Sequence, residues 1–203
     1  MGPALPESAR TASVRRETRE TTVSVELSLD GGGRYQVSTG VGMLDHMLEQ
    51  LAKHGLLDLT IEASGDIDRD PHHLVEDVGL VLGQALDRAL GERLGITRFG
   101  HAIVPMDEAL VLVALDLGGR AHAGIEFNFE REMLGQLPTE NIGHFLAAFA
   151  NEGRLNLHVR ELAGGNDHHR IEAAFKGLAL ALRQAVALDE RVGGEIPSTK
   201  EAL

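Results

Sequence analysis

The chain contains no cysteine, which excludes disulfide bridges and metal sites built on thiolates. Aromatic residues make up only 3% of it, so the core implied by a hydrophobic content of 43% must be aliphatic. Positive charge is also scarce, and the formal net charge of −12 argues against a nucleic-acid partner. No apolar run reaches the roughly 18 residues of a membrane span, and the first residues lack a signal-peptide pattern. We therefore expect a soluble, cytoplasmic protein without a membrane partner.

What the chain does contain is an internal repeat. Residues 70–77 (DPHHLVED) return as residues 166–173 (NDHHRIEA), and each copy carries two adjacent histidines followed by a glutamate. Another histidine precedes each copy, at position 46 in the first half and at position 144 in the second. The repeat predicts two similar halves that each supply three histidines and one carboxylate. We interpret it as a two-metal site built by duplication, with the ligands His46, His72, His73, Glu76, His144, His168, His169 and Glu172.

Helical geometry supports this interpretation. His72 and Glu76 are four residues apart, so on a helix they share one face. Adjacent helical residues diverge by roughly 100°, so His72 and His73 cannot easily chelate one ion together, but each can reach a different one. Imidazole and carboxylate ligands without thiolate suit Mn, Fe, Zn or Ni. Three histidines and one carboxylate leave room in an octahedral shell for substrate or water.

Hydrophobic periodicity predicts the same order of elements in both halves: strands, a helix, a strand and a helix. In the first half we expect strands over 14–21, 22–29, 34–39 and 57–63, and helices over 44–54 and 74–90. Residues 30–33 (DGGG) predict a hairpin turn between the second and third strands. In the second half we expect strands over 101–104, 109–117, 121–129 and 155–160, a loop over 130–138, and helices over 139–150 and 171–188.

These elements predict an α+β fold of two pseudo-repeat halves, each a mostly antiparallel sheet with helices on one face. The first half spans residues 13–95 and the second 96–188. A flexible tail over 1–12 precedes them, and a C-terminal tail over 189–203 follows. His101, His122 and His158 have no counterpart in the repeat, so we interpret them as ordinary surface or strand histidines.

Several further motifs make the sequence resemble the imidazoleglycerol-phosphate dehydratase family of histidine biosynthesis. The resemblance runs from about Arg15 to Lys200. Besides the paired triplets it rests on RET at 19–21, LDHML at 44–48, RFG at 98–100, PMDEAL at 105–110, GR at 119–120, FK at 175–176 and PSTK at 197–200. Two positions depart from the family pattern. Gly118 stands where the family usually has serine, and Glu201 where the tail usually continues with glycine.

The resemblance implies two Mn²⁺ ions per active site, bound by the eight ligands above, with sites completed across subunit contacts. It also implies a homo-oligomer of twenty-four subunits built from trimers. Glu20 is the implied catalytic residue. The implied substrate-binding residues are Glu20, His54, Arg98, Arg120, Lys176, Ser198 and Lys200, of which the cations would bind a phosphate group.

The implied reaction removes water from imidazole glycerol phosphate and gives imidazole acetol phosphate. The proton to be lost lies on an unactivated carbon. As a hypothesis, metals on both ring nitrogens make the ring imidazolate-like, so that it expels the side-chain hydroxyl and leaves a diazafulvene-type intermediate. Conjugation then acidifies the C–H bond enough for Glu20 to take the proton. Two alternatives stay open: a di-metal phosphatase or other hydrolase, and a non-catalytic assembly that stores metal or uses it structurally.

Overall fold

The computed structural model of the protein describes residues 9–65 and 67–200. Residues 1–8 of the predicted tail, and Glu201, lie outside the described residues. The first half comprises β1 (Thr11–Glu17), β2 (Thr21–Ser28), β3 (Tyr35–Ser38), α1 (Gly42–Gly55), β4 (Asp58–Gly65) and α2 (His72–Leu90). The second comprises β5 (Phe99–Met106), β6 (Ala109–Asp116), β7 (His122–Glu126), β8 (Met133–Leu134), β9 (Leu137–Pro138), α3 (Glu140–Glu152), β10 (Asn156–Ala163) and α4 (Asp167–Ala185).

The two halves have the same sheet topology. The first sheet has the strand order β1-β2-β4-β3 and the second has β5-β6-β10-β7. In each sheet the last-named strand pairs in parallel and the other pairs are antiparallel. The predicted α+β fold of two pseudo-repeat halves is confirmed. In the part of the chain described, no helix is both long and apolar enough to cross a membrane.

The predicted hairpin between the second and third strands is wrong. β3 does not pair with β2 but lies across β4 from it, parallel to β4. The intervening loop instead packs against the start of β4, where the Asp58 carboxylate accepts from the backbone N–H groups of Gly32 and Arg34. A Cβ atom at Gly31 would lie 2.3 Å from the backbone nitrogen of Asp58, so the close approach requires glycine.

Other boundaries differ in detail from the predictions. β1 begins at Thr11, inside the predicted tail, and β7 covers only the first part of the predicted strand. The predicted loop over 130–138 contains the short antiparallel pair β8–β9. The helix predicted over 171–188 begins at Asp167, where the side chain of Asn166 caps it, and ends at Ala185. His168 and His169 therefore lie within its first turn.

Alternating strand residues and one face of each helix form the core. Along β2 the buried positions are Thr21, Val23, Val25 and Leu27, as a half-buried strand requires. Helix α2 packs against the first sheet and against α3, while α4 packs against the second sheet and against α1. The halves thus meet through their helices, and this contact brings the first-turn histidines of α2 and α4 beside residues of the opposite half.

Candidate active site

One cluster of predicted ligands combines residues from both halves. His46 extends from the first turns of α1, and His168 and Glu172 lie one turn apart on α4. The Nε2 atoms of His46 and His168 lie 3.4 Å and 3.1 Å from Glu172 Oε2. The three ligand atoms all lie within 4.8 Å of one another. Two imidazoles and a carboxylate that converge in this way can hold a divalent cation.

Glu172 is buried, yet it is held in its charged form. Burial by itself raises the pKa of a carboxyl group, but the hydrogen bond from Lys176 and the nearby His46 outweigh it and leave the pKa of Glu172 below its usual value. Lys176 Nζ lies 2.7 Å from Glu172 Oε1, which leaves Oε2 to the two histidines. At neutral pH the cluster therefore presents a carboxylate to a cation.

A second pair of predicted ligands is related to this cluster by the repeat. His72 on α2 and His144 on α3 have ring centroids 4.7 Å apart. His72 corresponds to His168 and His144 to His46, so each ring again meets a histidine of the opposite half. The Nδ1 atom of His72 lies 3.1 Å from Asn141 Oδ1, which fixes the ring orientation. Glu76, half-buried on the next turn of α2, occupies the position equivalent to Glu172.

The second histidine of each triplet points elsewhere and meets a glutamate. The rings of His72 and His73 are 84° apart in orientation, and the same angle separates His168 and His169. His73 Nδ1 lies 3.0 Å from Glu20 Oε2. As predicted from helix geometry, neighbouring histidines do not converge on one point.

His169 has the equivalent contact with a residue that the sequence reasoning missed. Its Nδ1 atom lies 2.9 Å from Glu108 Oε2, and this hydrogen bond lowers the pKa of Glu108 to about 2. Glu108 also accepts from the backbone N–H groups of Gly165 and Asn166. A signal for it exists in the repeat, because Glu20 directly precedes β2 and Glu108 directly precedes β6, the equivalent strand.

Four of the predicted substrate-binding residues line one cleft of about 710 Å³. Arg98, Arg120, Ser198 and Lys200 come together there although they are distant in sequence. Lys176 is not among the residues that line this cleft, and its Nζ atom is paired with Glu172. The cleft brings three cationic side chains together on an acidic protein, and such a group of cations favours phosphate.

Arg98 is held in place within this cleft. Its Nε and Nη2 atoms donate to the two oxygens of Asp116 at 2.6 Å and 3.0 Å, and its Nη1 donates to the carbonyl of Pro197 at 2.8 Å. The hydrogen bond with Asp116 raises the pKa of Arg98. A Cβ atom at Gly118 would lie 2.8 Å from Asp116 Oδ2 and 3.1 Å from Arg98 Nη2, so glycine at this position leaves space for the ion pair.

His54 lies on α1 two helical turns after His46. Its Nε2 atom is 3.1 Å from Gln50 Oε1. Burial lowers the pKa of His54, and the positive charge of Lys176 lowers it further. The ring is therefore neutral at neutral pH and can both donate and accept a hydrogen bond. The remaining histidines, at positions 101, 122 and 158, lie in strands β5, β7 and β10 of the second sheet.

Comparison with known proteins identifies one family throughout. The family model "Imidazoleglycerol-phosphate dehydratase" matches residues 39–182. Imidazoleglycerol-phosphate dehydratase of Roseiflexus sp. (strain RS-1) is 53% identical over 98% of this chain and 100% of its own length. That of Dehalococcoides mccartyi is 56% identical over 96% of this chain and 97% of its own length.

Solved structures give the same result. The enzyme of Pyrococcus furiosus aligns with a TM-score of 0.81 at 39% identity, covering 94% of this chain and all of that one. The enzyme of Staphylococcus aureus aligns with a TM-score of 0.80 at 34% identity, covering 88% of this chain and 99% of that one.

Proposed function

The chain belongs to the imidazoleglycerol-phosphate dehydratase family and is a dehydratase of histidine biosynthesis, and from that premise we propose that it works with two Mn²⁺ ions. The observation that carries the proposal is the convergence of His46, His168 and Glu172 from opposite halves. The residues fit the ion, since all three donors are imidazole or carboxylate and the carboxylate is charged. By the repeat, His72, Glu76 and His144 would hold the second ion.

Bound there, the metal pair would supply Lewis acidity and a template that orients the imidazole ring of the substrate. The protein's own residues do the rest. Lys176 holds Glu172, Glu172 contacts His46 and His168, and Asn141 contacts His72. The site therefore needs little rearrangement to bind the metals. His54, neutral and half-buried on α1, is available to hydrogen-bond the substrate.

We propose that the phosphate binds in the cleft lined by Arg98, Arg120, Ser198 and Lys200. Arginine matches two phosphate oxygens with its planar fork, whereas lysine contributes a point charge. Asp116 compensates part of the charge of Arg98 and holds its guanidinium in a fixed orientation. The cleft would thus anchor the end of the substrate that does not react.

Glu20 is the proposed proton-transfer residue. It lies in the turn between β1 and β2, its side chain is 62% exposed, and its carboxylate faces His73. Glu20→Gln should leave the metal content intact and reduce turnover by about 10²–10⁴-fold, the usual contribution of general acid–base catalysis. Glu17→Gln is the matched control, because Glu17 is equally exposed on the other side of the same turn. Near-normal turnover of Glu20→Gln would refute the assignment.

We further propose that active sites are completed by a neighbouring subunit in an assembly of twenty-four subunits built from trimers. The support is geometric. The side chain of His73 is 64% exposed, and its ring is turned away from His72, which meets His144. His73 can therefore reach an ion held by another subunit. His73→Ala should then reduce both the metal bound per chain and the assembly size measured by light scattering. An unchanged assembly with full metal content would contradict this arrangement.

The direct test is to strip the protein with a chelator and to follow loss of water from imidazole glycerol phosphate with and without added Mn²⁺. We expect turnover only after Mn²⁺ is restored. Turnover that is unchanged after the metal has been stripped would overturn the proposed metal dependence. Release of inorganic phosphate would instead indicate a di-metal hydrolase. The proposed setting for the reaction is the cytoplasm.

A further inference from the structure

We propose that Asp77 and Thr21 are positioning residues that hold Glu20 against His73 for proton transfer. This inference rests on the role proposed above for Glu20. Asp77 directly follows the predicted ligand Glu76 on α2, but it is only 8% exposed and points towards the first sheet rather than towards the histidines. A buried carboxylate requires partners, and the identity of those partners defines its role.

Both oxygens of Asp77 are used to fasten strands β1 and β2 to α2. Arg16 on β1 donates from Nε to Asp77 Oδ1 at 2.9 Å. The hydroxyl of Thr21, the first residue of β2, donates to Asp77 Oδ2 in a short hydrogen bond. The turn that follows β1 comprises residues 18–20. It is therefore attached on both sides, through Arg16 and through Thr21, to the helix that carries His73.

Thr18 transmits this attachment to Glu20. Its Oγ1 atom accepts from the backbone N–H of Glu20 at 3.1 Å and from that of Thr21 at 2.9 Å. The hydroxyls of Thr18 and Thr21 are 3.0 Å apart. The single hydroxyl proton of Thr21 goes to Asp77, and that of Thr18 can go to Thr21 Oγ1 or, at 3.4 Å, to the carbonyl oxygen of Thr21. In either case Thr21 is bonded to Thr18, because its backbone N–H donates to Thr18 Oγ1. A continuous chain of hydrogen bonds thus runs from Asp77 to the backbone of Glu20.

The second half shows why this anchor belongs to Glu20 in particular. Position 173, equivalent to Asp77, is alanine, and the equivalent turn has only two residues. Glu108 there is instead held by the N–H groups of Gly165 and Asn166 as well as by His169. For Glu20, the longer turn between β1 and β2 is ordered through Asp77. The two halves share a fold but hold their glutamates by different contacts, and the anchor through Asp77 is present only in the half that contains Glu20.

The test compares Thr21→Val, which keeps the shape and removes the hydroxyl, with Thr21→Ser, which keeps the hydroxyl. We expect Thr21→Val to lower kcat by about 10–100-fold, as displacement of a catalytic group by roughly 1 Å does, with KM changed less than about threefold. Metal per chain should stay constant, and Thr21→Ser should keep kcat within about threefold of the original. Thr22→Val on the opposite face of the same strand is the matched control. A Thr21→Val enzyme with normal kcat would overturn the inference.

A double-mutant cycle with Glu20→Gln separates positioning from general destabilisation. If Thr21 acts through Glu20, Thr21→Val should cost almost nothing in the Glu20→Gln background. An equal loss in both backgrounds would overturn the inference while leaving the role of Glu20 intact. Near-normal turnover of Glu20→Gln alone would instead refute the proposed function of Glu20, and this inference with it. Thr18→Val, at an exposed position, supplies the same comparison if Thr21→Val does not fold.

Discussion

The contact between α2 and α3 leaves no room for a side chain at Gly79, so we expect Gly79→Ala to destabilise the protein. A Cβ atom there would lie 2.6 Å from the carbonyl oxygen of Phe145 on α3, whereas ordinary contacts begin at 3.4 Å. The helices would have to separate by about 0.8 Å, or both side chains and backbone would have to adjust. Overpacking of this kind costs about 1–3 kcal/mol.

Helix propensity opposes this cost, because alanine is favoured over glycine in a helix by about 1 kcal/mol. The net destabilisation should therefore be up to about 2 kcal/mol. For a chain of this length about 1 kcal/mol corresponds to a shift in Tm of about 2–4 °C. Gly79→Ala should lower Tm by up to about 8 °C. Because α2 and α3 carry His72 and His144, separation of the helices should also weaken the metal binding that we propose for that pair.

Gly143→Ala is the matched control, since it lies in α3 and a Cβ atom there would meet nothing within 4 Å. It should gain the helix propensity without the clash and raise Tm slightly. Both variants should be measured by thermal unfolding at one protein concentration and with metal chelated, because ligands and assembly shift Tm. If Gly79→Ala melts at or above the original protein while Gly143→Ala is stabilised, the helix contact is looser than we infer.

Two further predictions concern charged side chains. Arg98→Ala should raise KM for the phosphorylated substrate by about 10–100-fold, because hydrogen bonds to charged groups contribute about 1.5–3 kcal/mol. The control is Arg160→Ala, which breaks only the exposed ion pair with Glu126. An unchanged KM of the Arg98→Ala enzyme would exclude Arg98 from phosphate binding. The hydrogen bond from Arg34 holds the pKa of Asp58 well below its usual value. The charged Asp58 therefore stabilises the folded protein fully above the usual pKa of about 4, and this stabilisation is lost as the pH falls from there towards the lowered pKa. Asp58→Asn should therefore lose less Tm between pH 5 and pH 3 than the original protein, and equal losses would show that this contact does not contribute.

The eight candidate metal ligands were predicted from the repeat of histidines and glutamates. Period and spacing alone indicated that His72 and His73 diverge, and the structure places them against different partners. The repeat also contained a signal that was not used, the glutamate before the second strand of each half. It would have identified Glu108 beside Glu20.

The cleft that we propose for phosphate binding could not be derived from local sequence patterns. Arg98, Arg120 and Lys200 lie far apart along the chain, and only the segment before β5, the turn after β6 and the C-terminal segment together bring them to one place. The resemblance to a family suggested their grouping. It also grouped Lys176 with them, but the structure pairs that lysine with Glu172 instead.

The sequence by itself determined the two halves, the apolar faces of the helices and strands, and the ligand types, because periodicity and residue chemistry act over short distances. It misjudged the pairing of β3, because alternation predicts a strand but not the strand beside it. Only the tertiary structure decided that pairing, the contact of His46 with Glu172 across the halves, and the anchoring of the β1–β2 turn by Asp77. Each of these depends on packing between distant segments, as where the backbone at Gly31 approaches Asp58 and selects one arrangement among several that the local pattern allows.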